Sequence, residues 1–361
     1  MSIIPDTAYK FGCGRYLQGT DILKTCGNEI LRFGKKAFVI GGPTAISIVK
    51  EDLTTAMNSE KIGYIFYEYS GHCSEESAKK ISETIKAEGC DVIIGTGGGR
   101  IMDFAKLLGD KNKLPTINIP TSAATCAACT SLVVLYDDTG KTVGNYYLRQ
   151  EVSCVIIDFK IMANQPARLI ASGILDALAK YIEIKNGNKT VDPSNFAPDL
   201  VTAALLAKHT YDTLLKDLYP SMKAVDEHKI TPELESTVFL SLPVTSIISG
   251  ISKGFGQSAI GHELYYQIRT AFTKEGLSYL HGEIVAIGLI VQLYYNQNFD
   301  EIDDFVKLMK DLKMPTTLPE IGIPKTEENF KLLYDNMLKS NFVTNDEEHE
   351  KRFYEALKLI I

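Results

Sequence analysis

At 361 residues the chain is longer than one hydrophobic core usually serves, so two domains are expected. Its 45% apolar and 23% charged residues are those of an ordinary globular protein, and a net charge of −7 with no basic run argues against a nucleic-acid partner. The apolar stretches, "IVAIGLIVQL" among them, fall short of the ~20 residues of a membrane span. "MSIIPDTAYKFG" lacks the basic head and apolar core of an export signal, and an odd number of scattered cysteines, 7 in all, forms no disulfide framework. A reducing cytoplasm is the expected location.

In chain order, the first half alternates strand and helix. "KKAFVIGG" reads as a buried strand followed by the helical "PTAISIVKEDLTTAMNSE". "KIGYIFYEY" is a second strand, and Ser74 opens the helix "SEESAKKISETIKAEG". "DVIIGTGGG" leads into the helical "RIMDFAKLLGD", and further apolar strands follow in "LPTINIPT", "SLVVLYDD" and "CVIID". Continuous apolar strands bounded by glycine and separated by helices predict a parallel sheet covered on both faces. After Asp158 the periodicity becomes helical to the C-terminus, with breaks at "NGNKTVDPSN", "LYPSMK" and "KMPTTLPEIGIPKT". The expected organisation is an α/β dinucleotide-binding domain over 1–163 and an all-helical domain over 164–361, with a site in the cleft between them.

Two features carry chemistry. At the end of "DVIIG", Gly97, Gly98 and Gly99 turn directly into a helix, where backbone N–H groups can approach a pyrophosphate. The spacing is not G-x-G-x-x-G, and three glycines after a strand also suit a plain tight turn. Gly41 and Gly42 stand at the end of an early strand, where an acid often holds the adenosine ribose, so NADP is allowed beside NAD. The second feature is Asp176 inside an apolar helix, with His262 and His281 further on. Two imidazoles and a carboxylate suit Zn²⁺ or Fe²⁺ and leave a coordination position open. The competing reading is two hydrogen-bonded structural histidines and a surface i,i+4 pair of Asp176 with Lys180.

Together, "GHCSEES", "GTGGGRIMDFAK", "IPTSAATCAACTSLVVLYDDTGK", "GILDALAKYIE", the His262 segment and "YLHGEIVAIG" resemble, in order and spacing, the glycerol dehydrogenase type of the iron- or zinc-dependent alcohol dehydrogenase family. The resemblance implies a Rossmann-like parallel-sheet domain followed by an all-helical domain, the architecture shared with dehydroquinate synthase. It implies a metal held by Asp176, His262 and His281. Gly97, Gly98 and Gly99 would hold the pyrophosphate of NAD or NADP, with Gly41 and Asp103 among the cofactor contacts. Thr121, Ser122 and Thr125 would line the nicotinamide end. Iron-dependent members carry another histidine one turn after the aspartate; here Lys180 stands there, so zinc is expected over iron. A homo-oligomer acting on a small alcohol or ketone, with neither nucleic acid nor membrane as partner, is implied.

The pattern departs from glycerol dehydrogenases at Cys126, which replaces an aspartate that would contact a polyol. The sub-branch acting on 2-hydroxy acids resembles this chain more, sharing "GHCSE", "AATCAA" and a lysine after the metal aspartate. A carboxylate facing the substrate would repel a 2-oxo acid, whereas a thiol is neutral at pH 7 unless activated. Lys180 is expected to bind the substrate carboxylate or merely to pair with Glu183 or Asp176 on the helix surface, and Tyr265 to orient substrate or simply pack. Glycerol dehydrogenase is the alternative; a dehydroquinate synthase-like lyase and a glycerol-1-phosphate dehydrogenase lack their motifs here. Cys126 and Cys129 form a C-x-x-C without the helix start that a redox pair wants.

Overall fold

The computed structural model describes residues 8–253 and 259–361. They form two compact units: the described residues of Met1–Ile170 with Asp217–Ile247, and Ala171–Lys216 with Ile248–Ile361. Residues 217–247, expected in the helical half, therefore cluster with the first unit, and the first break falls at Ile170 rather than residue 163.

The first unit contains β1 (Tyr16–Gly19), β2 (Lys36–Gly41), α1 (Pro43–Ser59), β3 (Gly63–Glu68), α2 (Glu75–Ala87), β4 (Val92–Gly97), α3 (Gly99–Asn112), β5 (Thr116–Pro120), β6 (Leu132–Tyr136), β7 (Thr142–Tyr147) and β8 (Cys154–Asp158). Six strands make one parallel sheet in the order β1-β8-β5-β4-β2-β3. β4, β5 and β8 are buried along their whole length, as strands covered on both faces must be. Ala37, Val39, Val92, Ile94, Ile117, Ile119 and Ile156 join Val49, Leu53 and Met57 of α1 in one core. Local signals fix the helix starts. Pro43 follows the Gly42 cap of α1, and the Ser74 hydroxyl accepts from Ser77 N at 3.2 Å ahead of Glu75 and Glu76 in α2.

One strand departs from expectation. The run "SLVVLYDD" forms β6, which leaves the parallel sheet and pairs antiparallel with β7. The turn decides this. Asp137 Oδ1 accepts from Thr139 N at 2.9 Å and Lys141 N at 3.1 Å, and Gly140 adopts φ +83°. So short a connection can join only antiparallel neighbours.

The longer helices that remain are α4 (Ala167–Glu183), α5 (Pro198–Asp226), α6 (Pro232–Ile251), α7 (Ile260–Ala271), α8 (His281–Tyr295), α9 (Ile302–Asp311), α10 (Glu327–Leu338) and α11 (Glu347–Leu357). Among the described residues the second unit has no strand. α8 is apolar all round and buried from Gly282 to Leu293, which makes it the central helix of that unit. α6 contains a π turn at Leu240–Val244 around Pro243, whose missing N–H breaks the helical ladder, and Thr245 Oγ1 donates to Leu240 O at 2.8 Å. Contrary to the sequence reading, α6 is long and apolar enough to cross a membrane by length and composition. Its most apolar window is 61% buried inside the protein, as befits a core helix.

Candidate metal centre and dinucleotide cradle

Three helices of the second unit bring the expected ligands together. Asp176 lies mid-way along α4, His262 in the first turn of α7, and His281 at the first position of α8. Glycine lets the backbones close in. A Cβ on Gly282, next to His281, would sit 1.9 Å from Ser172 O on α4, and one on Gly288 would sit 2.7 Å from Gly261 Cα on α7. Gly282 N also donates to Ser172 Oγ at 3.2 Å. As a result Nε2 of His262 and Nε2 of His281 each lie 3.3 Å from Asp176 Oδ1. The three ligand atoms fall within 4.8 Å of one another. Asp176 is 2% exposed and its Oδ1 accepts no hydrogen bond. A buried carboxylate oxygen facing two imidazole nitrogens could hold a divalent cation. Burial alone would raise the Asp176 pKa, but the charges of His281 and Lys180 outweigh it and hold the carboxyl well below its usual range.

Glu183, two turns after Asp176 on the same face of α4, is fully buried and organises His262. Its Oε2 accepts a hydrogen bond from His262 Nδ1, while Oε1 accepts from the backbone N–H of His262 at 2.9 Å and of Ala259 at 3.1 Å. Those N–H groups open α7, where a helix leaves its first donors without internal partners; Gln292 Oε1 takes a third, Ile260 N, at 2.8 Å. With Nδ1 donating, Nε2 keeps its lone pair for a metal. Burial would raise the Glu183 pKa, yet the His262 and Lys180 charges lower it. Burial would lower that of His262, yet the Glu183 carboxylate raises it. The sequence reading took Glu183 only as a surface partner for Lys180. Its signal was the seven-residue spacing from Asp176 on an apolar helix.

Lys180 and Tyr265, both expected at the substrate, also reach the triad. Lys180 is 1% exposed and its Nζ lies 3.4 Å from His262 Nε2, so it is no surface partner of Asp176. The Tyr265 ring meets His281 edge-on, with centroids 4.3 Å apart.

In the first unit, β4 ends at Gly97, whose φ of +145° favours glycine, and Gly98 caps α3. Thr121 N donates to Gly97 O at 3.0 Å. A Cβ on Gly99 would lie 2.6 Å from Thr125 Cγ2, and one on Gly98 would lie 4.0 Å from Ser122 Oγ. The glycine turn and the loop of Thr121, Ser122 and Thr125 thus form one surface at a helix N-terminus. Gly41 serves packing, since a Cβ there would meet Thr96 Cγ2 at 2.6 Å; strand pairing sets exposed Glu68 beside it, an acid the sequence reading did not weigh. Asp103 is the remaining residue expected among the cofactor contacts. It is 5% exposed, pairs with Lys106 Nζ at 2.8 Å and accepts from Val134 N at 2.9 Å, so its carboxylate braces the fold. Cys126 and Cys129 are buried free thiols.

Residues 13–158 match the family described as iron-containing alcohol dehydrogenase. A glycerol dehydrogenase of Thermotoga maritima is 31% identical over 314 residues, covering 86% of this chain and 84% of that protein. The chain belongs to the iron-containing alcohol dehydrogenase family. It is thus an oxidoreductase of a family that acts on alcohols and implies a nicotinamide dinucleotide and a divalent metal. Hydroxycarboxylate dehydrogenase A of Escherichia coli is 26% identical over 288 residues, covering 80% of this chain and 78% of that protein. In fold, the glycerol dehydrogenase of Schizosaccharomyces pombe superimposes with a TM-score of 0.80 at 23% identity, covering 97% of this chain and 89% of that one.

Proposed function

We propose that the protein catalyses reversible hydride transfer between NAD(P) and the carbinol carbon of a small 2-hydroxy acid, giving the 2-oxo acid and releasing the hydroxyl proton to solvent. The observation that carries the substrate assignment is Lys180, an ammonium buried 3.4 Å from a metal-ligand nitrogen. The carboxylates of Asp176 and Glu183 stand against a divalent cation and this ammonium. An anionic substrate matches the remaining positive charge. Cys126, where related polyol enzymes carry an aspartate, adds no opposing charge.

Asp176, His262 and His281 would hold the metal, which when bound supplies Lewis-acid polarisation of the substrate oxygen. Zinc suits this set better than iron, because Lys180 stands where iron-dependent members carry a further histidine. Glu183 keeps His262 Nε2 free of its proton, Lys180 binds the substrate carboxylate, and Tyr265 walls the site beside His281. Gly97–Gly99 and the first turn of α3 would take the pyrophosphate, and Thr121, Ser122 and Thr125 the nicotinamide end. Glu68, beside Gly41, would oppose a 2′-phosphate, which favours NAD over NADP. We assign the first unit to dinucleotide binding and the second to metal and substrate, in a cytoplasmic homo-oligomer. Polyol oxidation is the second reading, favoured by relatives about 30% identical that are named glycerol dehydrogenases.

A kinetic panel separates the two. Metal-stripped and zinc-restored enzyme is assayed with glycerol, 2-hydroxybutyrate, 2-oxo acids and uncharged ketones, using both dinucleotides. Lys180→Ala should raise KM for 2-oxo acids about tenfold, the loss of one charge-assisted contact, and spare uncharged ketones. Equal effects on both refute the substrate assignment, and turnover that survives chelation refutes the metal.

A further inference from the structure

We infer that Lys106 is a positioning residue for the nicotinamide end of the dinucleotide, acting through the loop that follows β5. The inference rests on the dinucleotide reading above. The loop "TSAATCAACTS", Thr121 to Ser131, contains no side chain larger than threonine or cysteine, yet much of it is buried. It has no bulky anchor of its own, so its shape depends on what holds its backbone. Lys106, on α3, is 1% exposed and its Nζ sits among carbonyl oxygens of this loop and of the start of β6: Ala127 at 2.7 Å and Thr130 at 3.0 Å in the loop, and Leu132 at 2.5 Å in the strand. Thr130 Oγ1 lies 3.3 Å away.

An ammonium has three donors that can radiate to three carbonyls, a geometry no neutral side chain supplies. Asp103, one turn earlier on α3, offsets the buried charge at 2.8 Å and uses its other oxygen to hold Val134 N. Asn118 Nδ2 donates to Ala128 O at 2.9 Å, and Gln165 Oε1 accepts from Ala123 N at 2.8 Å, which fastens the rest of the loop.

The consequence for binding follows from where α3 begins. Its N-terminal glycines form the turn against which Thr125 packs, so Lys106 ties the loop to the same helix that faces the pyrophosphate. If the tie is lost, the pyrophosphate turn stays while the surface at the nicotinamide end loses its register. Such a residue touches neither cofactor nor substrate and acts by preorganisation.

The test compares NADH, followed by nicotinamide fluorescence, with ADP-ribose, which lacks the nicotinamide and is followed by calorimetry. The double variant Lys106→Met/Asp103→Asn removes both charges together, leaving neither buried alone. NADH affinity should fall about tenfold, ADP-ribose affinity should stay within about twofold, and zinc affinity should be unchanged. If the double variant does not fold, Lys106→Arg, which keeps the charge but presents a planar fork, carries the same comparison. Equal loss for both ligands in a folded variant, or no loss for either, overturns the positioning role. Failure of the unaltered protein to bind either ligand overturns the dinucleotide reading itself, and this inference with it.

Discussion

Replacing Glu183 by glutamine tests the metal centre most sharply, because it changes one atom and inverts one hydrogen bond. The carboxylate serves three donors: Oε1 takes His262 N at 2.9 Å and Ala259 N at 3.1 Å, and Oε2 accepts from His262 Nδ1. An amide cannot serve all three. If its oxygen keeps the two backbone donors, its NH₂ faces Nδ1, so the imidazole must move its proton to Nε2, which is the atom 3.3 Å from Asp176 Oδ1. If the amide flips, its NH₂ faces two backbone N–H groups instead. Either way the ligand tautomer is lost or a buried donor goes unpaired. Loss of a charge-assisted hydrogen bond costs about 1.5–3 kcal/mol of stability. Loss of such an outer partner of a ligating histidine typically weakens metal binding about 10–100-fold. Zinc affinity of the apoprotein is measured by chelator competition, and stability by thermal unfolding. Glu183→Ala is the poorer test, since three buried donors left unpaired at about 1–3 kcal/mol each could unfold the protein outright. A folded Glu183→Gln variant with zinc affinity within threefold of the parent would refute this account of His262.

Two further predictions concern the same helices. In Gly282→Ala the new Cβ would fall 1.9 Å from Ser172 O, a backbone atom that cannot rotate away, so α8 must shift and carry His281 with it. Overpacking costs about 1–3 kcal/mol and occasionally more; thermal unfolding should show a loss at the upper end together with weaker zinc binding, and parent-like values for both would contradict the packing argument. The second is pH-dependent. The His262 pKa is raised from 6.5 in the apoprotein, so the protonated form, which cannot ligate, persists above that pH. Zinc affinity should therefore climb as pH rises through and beyond about 6.5, then level off once His262 is neutral, with proton release on binding seen by calorimetry in buffers of different ionisation heat. An affinity flat from pH 6 to 8 would contradict it.

The parts of the fold readable from sequence are those where one residue pattern has one physical solution. A fully buried parallel strand must be a continuous apolar run, so β2, β4, β5 and β8 declare themselves. β6 is equally apolar, and what moves it out of the sheet is the Asp137–Gly140 turn and its partner β7, a weaker pattern with two glycine-tolerant, half-exposed faces. The division of the helical half was not legible at all. α5 and α6 look like their neighbours in sequence, and only tertiary contact assigns 217–247 to the first unit.

The same distinction separates the candidate ligands from the residues that hold them. Asp176, His262 and His281 are conspicuous because few things explain such groups in apolar helices. Lys180 and Glu183 lie three apart and Asp103 and Lys106 likewise, and in one dimension each pair resembles an ordinary solvent-facing ion pair. Burial reverses the meaning: Lys106, Lys180 and Glu183 are at most 1% exposed, and each charge is set against specific atoms. Asp103 is an instance, since the resemblance places it among the cofactor contacts while its carboxylate faces Lys106 and Val134. The small loop from Thr121 to Ser131 is the complement of these residues. Its side chains are small where it meets the glycine turn, and its backbone is held by Lys106, Asn118 and Gln165, whose hold on the loop no spacing in the sequence reveals.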